Sequence, residues 1–146
     1  MKIPFFSVKE LVCKHVYERY GENAVMFLDD KLIETLNVIR EQILCAPMTV
    51  NNWHAGGNFT QRGLRCNICE LVKSKTDAGS LYLSAHMLGK AVDCNVEGMT
   101  AEEARRLIIA KQELLPYPIR LEDGVSWLHF DRYKNGKNEK VYLFKA

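Results

Sequence analysis

The sequence predicts a single α+β domain, residues 1–146, with a mainly antiparallel sheet flanked by helices. Three observations point there. A chain of 146 residues is one domain's worth. Apolar residues make up 47% of it, enough to bury a real core. Helical periodicity fills the first third of the chain, while strand-like alternation fills the last third with one long helix set between strands. No internal repeat or low-complexity linker interrupts this order.

The elements follow in turn. FSVKELVCKHVYERYG reads as one helix, with Ser7 and Glu10 placed as a capping box. Val8, Leu11, Val12, His15 and Val16 share a face, and Gly21 follows the end. A second helix starts after Asp29 and Asp30, where Leu32, Leu36, Ile39 and Ile43 recur at helical spacing. Pro47 stops it, and MTVN reads as a short strand. NNWHAGGNFTQRGLR is an irregular polar loop, the kind of segment on which sites are built. NICELVKSK is a short helical piece, and TDAGS is a turn.

Gly89 allows a close backbone approach or a positive φ, and Ala91, Val92, Cys94 and Val96 suit a strand. GMTAEEARRLIIAKQELL is the clearest helix, with Thr100 and Glu103 as its capping box and Ala104, Leu107, Ile108, Lys111 and Leu114 on one face. IRLEDGVSWLHFDRY reads as two strands joined at Asp123-Gly124, a strong hairpin signal. KNGKN is a further turn, and VYLF is a last strand.

Composition excludes some partners. The net charge is only +2, and basic residues are interleaved with acids, so there is no electrostatic footprint for nucleic acid. No apolar run approaches the roughly 20 residues that span a bilayer. MKIPFF is too short for a secretory leader, so the chain is expected to be cytoplasmic when synthesised and to meet a cell wall only if released. It is expected to be a monomer. The five cysteines, an odd number, suit reduced thiols. Cys66 and Cys69 form a lone CxxC, half of a structural zinc site. No second pair or HxxxH follows it, so these two are expected to be ordinary thiols at the start of a short helix. His15 and His54 have no evident role beyond surface or core.

Chemistry concentrates in two stretches. SAHMLGKAVD sets His86 and Asp93 seven positions apart around Gly89. Both are zinc-ligand types, although the pair alone is common by chance. In WLHFD, His129 shares a strand face with Trp127 and Asp131, while Leu128 and Phe130 point the other way.

SAHMLGKAVD resembles the S-x-H-x-x-G-x-A-x-D signature of the zinc D-Ala-D-Ala carboxypeptidase-like peptidases. That family includes phage endolysin peptidases and is distant structural kin of the hedgehog signalling domain. WLHFD resembles the family's second signature, and FSVKELVCK its N-terminal F-S-x-x-E-L-x-C. TVNN with GLR resembles the segment carrying a substrate-binding arginine. The resemblance runs from about residue 6 to about residue 133. It implies a hedgehog- or DD-peptidase-like fold, with Zn2+ held by His86, Asp93 and His129. Two neutral imidazoles and one carboxylate leave the metal a net positive charge, which suits hydrolysis.

The resemblance also implies a general base and an arginine, and here alternatives stand open. Many members carry glutamate three residues before the last histidine, where this chain has Ser126. Glu122 matches another version. A two-residue Asp123-Gly124 turn would leave Glu122 roughly 13 Å from His129 along the strand, so a bulge, a longer turn or a bent strand must shorten that distance. Asp131 is the alternative base, or else a partner that orients a ligand histidine. Arg65 fits the substrate arginine best, with Arg62 close enough to confuse the alignment. Ser84 bonds near the metal or caps a turn.

The function implied is a zinc metallopeptidase cleaving a peptide bond in bacterial peptidoglycan stem peptides, as carboxypeptidase or endopeptidase, in phage or prophage lysis. The alternative, favoured by Ser126, is a zinc-binding but non-catalytic recognition or phage structural module. A redox role for Cys66 and Cys69 leaves SAHMLGKAVD and WLHFD unexplained.

Overall fold

A computed structural model describes residues 3–134 and 139–146. The expected turn at KNGKN falls almost wholly outside them. The N-terminal residues do not form one helix. α1 (Val8–Leu11) and α2 (Lys14–Tyr20) are separated by an extended Val12–Cys13. Tertiary hydrogen bonds replace the helical ones at this break. The Val12 carbonyl accepts from Asn51 Nδ2 at 3.0 Å and Trp53 Nε1 at 3.2 Å, and the Cys13 amide donates to Leu64 O at 3.0 Å. Val12 and Leu64 thereby form a parallel bridge. The capping relation at the start survives, with the Glu10 carboxylate accepting from the Ser7 amide at 2.6 Å.

α3 (Asp30–Val38) starts at Asp29, whose carboxylate accepts from the Leu32 amide, and runs into a π-helical stretch, Ile39–Leu44. Leu32, Leu36, Ile39 and Ile43 are all buried, as their spacing requires. After β1 (Met48–Thr49) comes the polar loop, then α4 (Glu70–Asp77), β2 (Ala91–Val96) and α5 (Ala101–Ala110). The Thr100 hydroxyl accepts from the Glu103 amide, and the Glu103 carboxylate from the Thr100 amide, closing the predicted capping box. α5 ends earlier than expected and a 3-10 turn, Gln112–Leu114, follows. The change of pitch exposes Leu114 and buries Leu115 in its place.

β3 (Ile119–Glu122), β4 (Leu128–Asp131) and β5 (Val141–Phe144) complete a five-stranded sheet in the order β1-β2-β4-β3-β5. The sheet is mixed. Its first three pairings are antiparallel, but β5 runs parallel to β3. Leu128 and Phe130 of β4, with Val92 and Cys94 of β2, bury their side chains in the core, and α5 packs on both strands. The same two-residue period turns His129 and Asp93 to the opposite face.

The expected hairpin forms, with a longer connection in place of a two-residue Asp123-Gly124 turn. β3 and β4 pair as Arg120↔Asp131 and Leu121↔Phe130, which leaves residues 123–127 as a longer connection. Extending that register by one residue sets Glu122 across from His129. Arg105, buried in α5, is the reason this loop holds its shape. Its guanidinium donates to the carbonyls of Trp127 at 3.2 Å and Val125 at 3.1 Å, and approaches that of Glu122 at 3.5 Å. Glu102 and Asp123 compensate its charge.

Candidate metal centre

The floor of the site is the β2–β4 pair, in which Asp93 lies opposite His129. His129 Nδ1 is 2.7 Å from Asp93 Oδ1, and His86 Nε2 is 3.2 Å from Asp93 Oδ2. All three side chains are buried, and one ligand atom from each lies within 4.8 Å of the others. His86 comes from the loop before β2, and Gly89 places that loop. Its φ is +68°, and a Cβ there would stand 2.0 Å from the Phe27 carbonyl oxygen. Both reasons for a glycine, positive φ and close approach, apply at once.

Each histidine has one nitrogen held by an outer partner and the other turned to Asp93. His86 Nδ1 faces the Gly63 carbonyl at 2.9 Å, which fixes a donor there and turns Nε2 toward Asp93 as the nitrogen that a metal would take. Gly63 must be small for this, because a Cβ would stand 2.3 Å from the Leu11 carbonyl oxygen. His129 Nε2 faces Asp131 Oδ2 at 2.7 Å, leaving Nδ1 for the floor. A histidine whose outer nitrogen is held by a carboxylate or a carbonyl is the usual arrangement of a metal ligand. The donor set therefore fits a divalent transition metal such as zinc, with His86 Nε2, Asp93 and His129 Nδ1 as the available ligands.

Asp131 is fully buried, and its oxygens are all engaged. Arg120 grips it through two hydrogen bonds of 2.8 Å, the Tyr133 amide donates at 3.0 Å, and His129 takes the remaining position. A carboxylate filled in this way orients its neighbour and has no lone pair left for a water's proton. Burial opposes charge on His129, but hydrogen bonds to Asp131 and Asp93 outweigh it and push the imidazole up to about 9. Burial likewise raises Asp93 and Asp131, and their histidine and arginine partners overcome it, so both stay below the usual carboxylate range.

Glu122 stands at the edge of the same group, loosely paired with His129. Its Oε2 is 3.9 Å from His129 Nδ1, and the side chain lines the pocket above the floor. Ser126 does not. It lines a separate depression with Arg105 and Thr100. The pocket over the floor encloses about 310 Å³ and is open to solvent, with Tyr82, Trp127, Tyr133 and Phe144 among its walls. That volume is at the lower end of ligand clefts, which run about 300–1,000 Å³.

Arg65 and Arg62 separate cleanly. Arg65 lines this pocket, with Nη2 3.2 Å from Asp93 Oδ2 and Nε donating to Gln61 O at 2.6 Å. Arg62 turns away, donating to Asn95 Oδ1 at 3.1 Å with its guanidinium over the Phe59 ring. Only its carbonyl serves the site, accepting from the Asp93 amide at 2.7 Å. Ser84 caps the turn that carries His86, its hydroxyl accepting from the Met87 amide at 3.3 Å. His54 joins neither this group nor the second group of potential ligands.

That second group adds to the reading of the CxxC. Cys66 and Cys69 do start a helix, but Cys13 and His15 come to meet them, and one ligand atom from each of the four lies within 4.8 Å of the others. The missed signal was C-x-H at residues 13–15, which precedes the CxxC by about 50 residues. Treating Cys13 and His15 as part of one continuous helix concealed it. Cys45 and Cys94 stand apart, the latter a buried thiol pushed up to about 12 by desolvation. The residues sequence reasoning missed at the first site are Arg120 and Arg105, which look like surface cations until their partners are known.

No protein-family model, curated protein or solved structure matches the chain. Among the described residues, no helix is long and apolar enough to cross a membrane.

Proposed function

We propose that this domain is a zinc metallopeptidase of the D-Ala-D-Ala carboxypeptidase-like kind, acting on peptidoglycan stem peptides. The observation that carries the reading is the convergence of His86, Asp93 and His129 beneath an open pocket that also holds a carboxylate, Glu122, and a cation, Arg65. A bound zinc would supply Lewis acidity, polarising a scissile carbonyl and lowering the pKa of a water. The chain's own groups divide the remaining work. Glu122 takes a proton from the attacking water and delivers it to the leaving amine. Arg65 grips a substrate carboxylate or carbonyl with its fork, exchanging its contact with Asp93 for the substrate. Asp131 and the Gly63 carbonyl hold the two histidines in their ligating tautomers. The aromatic walls offer apolar surface to the peptide, and Arg105 holds the loop that follows Glu122.

The test is digestion of purified peptidoglycan and synthetic stem peptides, with the cut bond read by mass spectrometry. Zinc-dependent release of one defined fragment is expected, together with its loss in His129→Ala. A protein that binds zinc through these three residues but cuts no wall fragment is instead the recognition or structural module.

A further inference from the structure

We propose that Cys13, His15, Cys66 and Cys69 form a second metal site, a closed structural zinc centre separate from the pocket. Three of its edges already have the lengths of a coordination shell. A tetrahedral zinc with Zn–S of about 2.3 Å and Zn–N of about 2.0–2.1 Å has S···S edges of about 3.8 Å and S···N edges of about 3.6 Å. Cys66 Sγ and Cys69 Sγ are 3.8 Å apart, and His15 Nδ1 lies 3.5 Å from the first and 3.8 Å from the second. Cys13 Sγ completes the set, lying within 4.8 Å of the other three ligand atoms.

The donor chemistry selects the metal. Three thiolates and one imidazole are a soft set of four, the composition of closed tetrahedral zinc sites. A disulfide does not account for the arrangement. Bonded sulfurs sit about 2.05 Å apart, all these cysteines are free, and a pairing would leave one sulfur and the histidine without a purpose. The backbone supports thiolate at the turn, where the Cys66 amide points at Cys69 Sγ at 3.4 Å.

The place in the fold gives the metal its task. Cys13 precedes α2 and His15 is in its first turn, while Cys69 caps α4. Between the two halves the Cys13 amide donates to Leu64 O and the Leu64 amide to Leu11 O. Next to them lie Gly63, whose carbonyl holds His86, and Arg65, whose amide donates to the His86 carbonyl at 3.2 Å. The metal is thus a clamp on the segment that supplies the pocket's arginine and one histidine's orientation. Its four ligands are none of those assigned to the pocket.

Cobalt(II) titration of the metal-stripped, reduced protein tests this. Two ions per chain are expected, with thiolate-to-cobalt charge-transfer absorption in the near ultraviolet. His129→Ala should bind one ion and keep the absorption. The Cys66→Ser, Cys69→Ser double variant should lose the absorption along with one ion. Should that variant fail to fold, the wild-type spectrum and a thiol-reactivity assay decide, since zinc should shield these thiols from alkylation until a chelator is added. Absence of the absorption from wild type, or alkylation indifferent to the chelator, overturns the proposal. A protein with the absorption but no peptide cleavage keeps this site and loses only the peptidase reading.

Discussion

Two groups of potential ligands lie on either side of the Gly63–Cys66 segment, and they are built to different ends. The first offers two histidines and an aspartate beneath an open pocket, leaving room for a further ligand, with a glutamate and an arginine above. The second offers four ligands, three of them sulfur, which fill a tetrahedron. An open three-ligand set suits chemistry, and a closed four-ligand set suits holding chain segments together. The supporting contacts differ likewise. Asp131, Arg120 and the Gly63 carbonyl orient the first set's imidazoles, whereas the second set is held mainly by backbone pairing around Leu64.

The largest expected effect separates base from ligand. Glu122→Gln should lower peptide cleavage by roughly 10²–10⁴-fold while both metals stay bound. Cleavage at the wild-type rate in this variant would remove Glu122 from the chemistry. Asp131→Asn should act differently, weakening zinc at the first site by about 10–100-fold through the orientation of His129, with the thiol site untouched. Isothermal titration of each variant distinguishes the two outcomes. Equal loss at both sites would mean the fold itself had been disturbed.

Arg65→Lys keeps the charge and loses the fork. Forfeiting a charge-assisted bond of about 1.5–3 kcal/mol should reduce kcat/KM by roughly 10- to 150-fold with normal metal content. Arg62→Lys should leave kcat/KM nearly unchanged, because its guanidinium faces Asn95 and Phe59 outside the pocket. The reverse pattern in steady-state kinetics would transfer the role to Arg62.

The smallest effect is a pH dependence whose sign metal should reverse. In the metal-stripped protein His129 is held at about 9, above its ordinary value of 6.5. The protonated imidazole between Asp93 and Asp131 then contributes stability that is complete below pH 6.5 and lost as the pH rises through about 9. The shift corresponds to roughly 3 kcal/mol. Asp93 and Asp131 are depressed, so their contribution is present above the ordinary carboxylate range and lost only in stronger acid. Thermal melting of stripped protein should therefore give a plateau followed by a fall toward pH 9. With zinc added the stabilisation should instead grow over that interval, because zinc and the proton compete for His129 Nδ1. A stripped protein that gains stability toward pH 9 would show that His129 is neutral there.

Much of this was written locally. The capping box at Thr100 and Glu103, the buried stripe of α3 and the alternation through WLHFD each depend on residues a few positions apart. So does the glycine that lets the His86 loop approach Phe27. These features follow from backbone periods and side-chain reach, and a sequence displays both. His86, Asp93 and His129 were legible singly as ligand types, and the strand period gave the face of His129, but it was the resemblance to the carboxypeptidase-like signatures that joined the three into one set.

Tertiary structure alone decided the rest, wherever a partner far along the chain outbid a local preference. Helical continuity through Val12–Cys13 yielded to Asn51, Trp53 and Leu64. The Asp123-Gly124 turn signal yielded to Arg105, whose grip on three carbonyls goes with the longer loop and the register that sets Glu122 beside His129. The parallel placement of β5 likewise awaited a vacant sheet edge beside β3. Cys13 and His15 met Cys66 and Cys69 only because that same break in the helix turned them toward the second segment. Local sequence determined which side chains could ligate and which faces they occupied. The long-range hydrogen bonds determined which of them meet, because a buried polar group must find its partner wherever the fold has placed one.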